Sequence, residues 1–365
     1  MRYASRKFAT PTLLIVYVVA PQLLLGVSAQ EHRTSEARLQ RFLQKFLAAD
    51  ANRDGILTEL EAREFRRLAS VADSSPTDMS KANVPPTQSD VSYGSHERNR
   101  LDFWQAASDI PTPVLIFFHG GSFKAGDKSS VLTRPIFREC LAAGISVISA
   151  NYRFSSDAPF PAPMHDGARV VQYVRYKARD WNLDPERIAV SGSSAGATLA
   201  MWIALHDDLA NSVKNDPVSH LSTRVACACL HSGTAGLEPE YFQQQTGVMK
   251  LGPALWQLFG THSQAEFEST ENRHLLREAS PVLHATSDDP PLFLTYAGRP
   301  ADVPFTAEEP QKNWIHHVSL GVPLKNKYDS LGLECELHHQ GNPPEPDAEI
   351  AFLKKHLFGL SKPNP

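Results

Sequence analysis

The residues with the clearest chemical potential lie in Val190-Ser191-Gly192-Ser193-Ser194-Ala195-Gly196-Ala197. An apolar run precedes them and a run of small, helix-compatible residues follows, so the segment reads as strand, sharp turn and helix. Ser194 alone has glycine two residues to each side; Ser193 is flanked by Ser191 and Ala195. Gly-x-Ser-x-Gly at such a turn lifts a serine hydroxyl clear of the sheet, where a neighbouring base can activate it as a nucleophile. The glycines are needed because strand and helix cross there too closely for a Cβ.

An oxyanion site has its own signature upstream. Val114-Leu115-Ile116-Phe117-Phe118 is an apolar strand-like run leading into His119-Gly120-Gly121-Ser122-Phe123. His-Gly-Gly after a buried strand supplies backbone N–H donors to a developing oxyanion. The expected donors are Gly120 or Gly121 together with Ala195, the residue after the nucleophile. One strand and helix separate the motifs, with Ile145–Ala150 as the strand.

Between them stand Asn151-Tyr152-Arg153, Pro159-Phe160-Pro161-Ala162, Asp166 and Asp184-Pro185-Glu186-Arg187-Ile188. With these segments the chain resembles the carboxylesterases related to hormone-sensitive lipase and the bacterial feruloyl and acetyl-xylan esterases. The resemblance runs from about Tyr93 to Leu360 and is densest from Val114 to Ala204. Ser122 departs from it, standing where the family has a third glycine. It implies an α/β-hydrolase fold, with a mostly parallel central sheet flanked by helices, and serine-dependent hydrolysis of a small-molecule or polysaccharide-linked ester.

In that fold the triad acid follows the strand near Leu292–Ala297 and the histidine follows the last strand, near Leu333–His339. Asp302, in Arg299-Pro300-Ala301-Asp302-Val303-Pro304, occupies the acid's loop. The usual Gly-x-Gly-His is absent; the chain reads His338-His339-Gln340-Gly341-Asn342-Pro343-Pro344 instead. His339 is the first choice of base. His317, from the long loop that also holds Asp302, is the second, since a local Asp–His pair is possible there. His338 and His316 rank behind, each neighbouring a better candidate on the opposite face. If no histidine serves, the domain is a degenerate hydrolase that binds a ligand or polysaccharide.

A second chemistry precedes the hydrolase. Asp50-Ala51-Asn52-Arg53-Asp54-Gly55-Ile56-Leu57-Thr58-Glu59-Leu60-Glu61 fits the twelve-residue EF-hand loop. Asp50, Asn52, Asp54 and Thr58 place side-chain oxygens at positions one, three, five and nine. Ile56 offers its carbonyl at seven, and Glu61 closes the site at twelve. Leu39, Phe42, Leu43, Phe46 and Leu47 recur at helical spacing upstream; Leu60, Phe65 and Leu68 face them downstream. A structural calcium ion is expected. A calcium-controlled interaction module is a weaker reading of the whole chain.

The elements that position these residues set the domain plan. Arg2, Arg6 and Lys7 precede an apolar run to Val27 and a Val27-Ser28-Ala29 cleavage site, so residues 1–29 read as a signal peptide and the mature protein as exported, with no membrane attachment. Residues 30–68 form the all-α EF-hand pair, 69–92 a Pro- and Ser-rich linker, and 93–365 the hydrolase. Within it, residues 236–285 are aromatic and helical, either a lid or plain core. A formal charge of −4 on 365 residues gives no electrostatic ground for a nucleic-acid partner. The four cysteines have neither disulfide nor zinc spacing and read as core residues. Neither histidine pair has carboxylate or cysteine company at a ligand spacing, so no catalytic metal is expected.

Overall fold

The structure, a computed structural model, describes residues 84–359 together with Leu39, Ile56, Leu57, Thr58 and Ala62. The expected calcium ligands Asp50, Asn52, Asp54 and Glu61 lie outside the described residues, as do the signal peptide and most of the linker. Of the loop, Leu57 is buried and belongs to the same apolar cluster as Trp104 and Phe352. Ile56 and Thr58 are exposed, and the Thr58 carbonyl accepts from the Ala62 N–H at 3.0 Å.

The strands are β1 (Gln88–Ser92), β2 (Arg100–Trp104), β3 (Thr112–Phe118), β4 (Ser146–Ala150), β5 (Leu183–Ser193), β6 (Cys227–His231), β7 (Leu292–Thr295) and β8 (Cys335–His338). The helices are α1 (Pro135–Ala142), α2 (Ala162–Lys177), α3 (Ala195–Leu205), α4 (Pro239–Thr246), α5 (Pro253–Leu258), α6 (Gln264–Phe267), α7 (Arg273–Glu278), α8 (Gln311–Trp314), α9 (Val322–Leu331) and α10 (Ala348–Phe358). One eight-stranded sheet runs in the order β1-β2-β4-β3-β5-β6-β7-β8. Only the β1–β2 and β2–β4 pairs are antiparallel. This is the expected α/β architecture, with one correction. The linker read over 69–92 gives way to an edge strand at Gln88. Gln88–Ser92 is polar and largely exposed, so it lacks the apolar alternation that marks a strand in sequence.

Burial on both faces explains the continuous apolar strands. All seven residues of β3 are buried. Val114, Ile116 and Phe118 join one core with α2 and α3; Leu115 and Phe117 join the other with α1 and α10. The alternation is the period of two of a pleated strand. Each fully buried side chain of this size contributes about 1.5–3 kcal/mol over leaving it exposed. Helix α3 is buried along its whole length. The aromatic insertion packs mainly into the first core: Phe242 and Phe259 are buried, with Tyr241 and Trp256 against them. All four cysteines are buried and free.

Candidate active site

Ser194 follows the last residue of β5 and opens α3, at the C-terminal edge of the parallel strands where ligands of open α/β sheets bind. Its φ of 54° and ψ of −120° place a non-glycine residue in strained left-handed backbone. The flanking glycines permit this. A Cβ on Gly192 would collide with the Gly196 carbonyl, and one on Gly196 with the carbonyls of Phe118 and His119. The turn is held by the Ser194 N–H, which donates to the His231 carbonyl at 2.8 Å.

The loop after β3 comes up beside it. A Cβ built on Gly120 would stand 3.4 Å from the Ser194 Cβ, so this backbone packs against Ser194. The N–H groups of Gly121 and Ala195 donate to no protein acceptor among the described residues. Ser122 takes the glycine-like φ of 56° that its position demands. Beneath the loop, His119 is buried and stacks on Tyr152 at 4.5 Å between ring centroids, while the Tyr152 hydroxyl donates to the His119 carbonyl at 2.7 Å.

The His119 tautomer follows from its neighbours. Arg98 Nη2, which can only donate, lies 3.3 Å from His119 Nε2, so the ring proton sits on Nδ1 and is donated to the Gly120 carbonyl at 2.7 Å. Burial pulls the His119 pKa down to about 4, against the smaller raising effect of its bond to Gly120, and the Arg98 charge lowers it further. His119 is thus a neutral brace for the loop after β3. Arg98 also lies over the Phe154 ring at 3.5 Å and donates to the carbonyls of Tyr152 and Gly126. Sequence reasoning did not single out Arg98; its signal, an arginine in the turn between β1 and β2, is too common to read.

The histidine ranking needs correction. His316 Nε2 lies 2.9 Å from Ser194 Oγ. His339 bonds locally instead, with its backbone paired to Asn342 and its Nδ1 accepting from the Gly341 N–H at 3.0 Å. His338 lies against the Phe293 ring and its Nε2 is 3.2 Å from Glu336. His317 is buried, its Nδ1 accepting from the Ser319 N–H at 3.2 Å and its Nε2 3.8 Å from Asp302 Oδ2. The physical reason is backbone pairing. Ala297, just past β7, donates to the His316 carbonyl and accepts from the Val318 N–H, both at 2.9 Å. His317 is extended (φ −75°, ψ 146°) between a turn residue and the 3-10 turn Val318–Leu320, and with the backbone fixed in this way His316 meets Ser194 while His317 faces Asp302.

Asp302 is therefore not beside the histidine that meets Ser194. It is half exposed, accepts from the Arg299 N–H at 2.6 Å and faces His317. Among the described residues no carboxylate hydrogen bonds to His316. The arrangement is a Ser–His pair whose imidazole is exposed, with its pKa drawn below the ordinary value by partial burial.

The BD-FAE family model matches residues 101–314, more than half of the chain. The Mycobacterium tuberculosis protein named Esterase LipQ is 29% identical over 225 residues, which cover 59% of this chain and 49% of its own. Carboxylesterase NlhH of the same organism is 30% identical over 117 residues, 32% of this chain and 35% of its own. The chain thus spans about half the length, or less, of these curated relatives. Among solved structures, an acetyl ester-xyloside bifunctional hydrolase from Caldicellulosiruptor lactoaceticus superposes with a TM-score of 0.54 at 21% identity, covering 76% of this chain and 95% of its own. A truncated carbohydrate esterase from gut microbiota superposes at 0.56 and 20%, covering 77% and 96%. These similarities show the fold.

Proposed function

The chain belongs to the BD-FAE family, and from that premise we propose that it hydrolyses carboxylic esters through an acyl-enzyme on Ser194. The observation that carries the reading is the 2.9 Å contact between Ser194 Oγ and His316 Nε2 on a strained strand-to-helix turn. Ser194 Oγ attacks the ester carbonyl as His316 Nε2 takes its proton. The oxyanion that forms is held by the N–H groups of Ala195 and of Gly120 or Gly121. Collapse expels the alcohol, which takes the proton back from His316. Water, deprotonated by the same nitrogen, then attacks the acyl-enzyme; the Ser194 Oγ–acyl bond breaks, Oγ takes the proton back from His316 and the acid leaves.

The relatives' names, an esterase and a carboxylesterase, support this chemistry, and the acetyl-ester hydrolase among the structural neighbours makes short acyl groups the first substrates to try. We also read the protein as exported and its Asp50–Glu61 loop as a calcium site, on the sequence pattern alone. The test of the reaction is a fluorophosphonate label located by mass spectrometry. The expected adduct is on Ser194, lost in Ser194→Ala with the fold intact by circular dichroism. Labelling that persists in that variant rejects Ser194 as the nucleophile, and an unlabelled wild-type chain rejects the reading in favour of a ligand-binding protein.

A further inference from the structure

Far from Ser194, His206 and two side chains more than 70 residues later form a cluster with the composition of a cation site. His206 directly follows α3, Glu278 ends α7, and His284 follows the turn Pro281–Leu283. One nitrogen from each imidazole and a carboxylate oxygen lie within 4.8 Å of one another. His206 Nε2 is 2.9 Å from Glu278 Oε1, and the two imidazole centroids are 4.8 Å apart.

The second nitrogen of each ring determines what the first can do. His206 Nδ1 lies 3.0 Å from the Asp207 carbonyl, and His284 Nε2 lies 2.8 Å from the Glu278 carbonyl. A carbonyl only accepts, so both of these nitrogens carry hydrogen. In the neutral rings His206 Nε2 and His284 Nδ1 are then bare lone pairs. A bare lone pair 2.9 Å from a carboxylate oxygen is repulsive unless a positive charge stands between them. Metal-bound imidazoles characteristically donate their other N–H to a backbone carbonyl or carboxylate, and both rings do so here. The Glu278 carbonyl that orients His284 also accepts from Trp202 Nε1 at 2.9 Å, which ties it to α3. Trp202 in turn lies against the His206 ring, with centroids 4.2 Å apart.

We propose that His206, Glu278 and His284 bind a divalent transition cation of the zinc class, with water completing the coordination. Two imidazoles and a carboxylate are an established donor set for zinc. Ligand atoms at zinc bond lengths of about 2.0–2.2 Å stand roughly 3.4 Å apart around a tetrahedral ion, within the spread of this cluster. Half of the Glu278 side-chain surface is exposed, which leaves an entry path. At about 1.5 Å per residue the site stands about 18 Å along α3 from Ser194, so its role is to clamp the far end of the helix that carries the nucleophile.

The test uses the full chain without an affinity tag, stripped with chelator and dialysed. Zinc chloride is titrated by calorimetry and by thermal melting. Wild-type protein is expected to show a micromolar site and a Tm raised by several degrees at saturation. Glu278→Gln, which keeps the packing and removes the charge, is expected to weaken that site at least tenfold, and His206→Gln/His284→Gln to abolish it. Metal-free turnover of a small ester should stay unchanged in all three proteins. If zinc gives no heat up to millimolar concentration, or Glu278→Gln and the double variant bind like wild type, the assignment fails and the trio is a proton-held ion pair.

Discussion

Ala297 and His317 form a parallel bridge just beyond the end of β7, and that bridge aims the preceding residue, His316, at Ser194. The contact depends on this pairing and on the anchors either side of it. Trp314 is fully buried, and the Tyr241 hydroxyl donates to the Leu320 carbonyl at 2.7 Å.

Substitution at His316, His338 and His339 should follow this geometry. His316→Ala is expected to lower kcat on a small activated ester by about 10³-fold or more, because nucleophile and base act as a unit. His339→Ala and His338→Ala should each cost less than about tenfold. Steady-state kinetics on the folded variants decides, and a large loss confined to His339→Ala would restore the base expected after the last strand.

The acid limb of the rate profile carries the same assignment. Burial holds the His316 pKa below its ordinary 6.5, so the ring is neutral at pH 7 and Nε2 is free to accept a proton. As the pH falls through that pKa the ring protonates and the base is lost. kcat/KM should therefore be flat near neutrality and fall on the acid side with a midpoint below 6.5. A midpoint above 7 would contradict the burial seen here.

Asp302 faces His317 rather than His316, so Asp302→Asn should reduce kcat by less than about tenfold. Loss of an aspartate that orients the base of a full triad costs about 10⁴-fold. A fall of that size would mean that the loop holding Asp302 turns to His316 when substrate binds.

For the calcium loop, calorimetry on the full chain should show a site with Kd of roughly 10⁻⁴–10⁻³ M, the range of extracellular modules. Glu61→Gln should weaken it. Esterase activity should survive chelation, since the expected ligands belong to the segment before the sheet. Complete loss in chelator would give calcium a part in the chemistry.

What the chain discloses in one dimension follows from the range of the interactions involved. Gly192, Ser194 and Gly196 meet within one turn, so their constraint is written locally and is legible. The apolar run Val114–Phe118 of β3 is legible for the same reason, since burial on two faces leaves it no polar position. His316 is not, because its direction is set by Ala297, nineteen residues earlier, across a bridge with no local signature. Gln88–Ser92 is a strand by virtue of its partner Arg100–Trp104 and not of its own composition. The His206, Glu278 and His284 cluster is assembled by packing α3 against the segment after α7, and no spacing rule reaches across it.

The four buried thiols carry a consequence of another kind. Cys140, Cys227 and Cys229 share the core cluster between the sheet and α1 and α10, and burial raises the pKa of each well above that of a free thiol. Cys335, on the opposite side, is pushed up to about 12. Thiolate is the reactive form, so the native fold shields all four from oxidants and alkylating reagents alike. Reaction must wait for the structure to open. The cysteines are thus a built-in clock: the rate at which they take up an alkylating reagent reads how often each side of the sheet breathes.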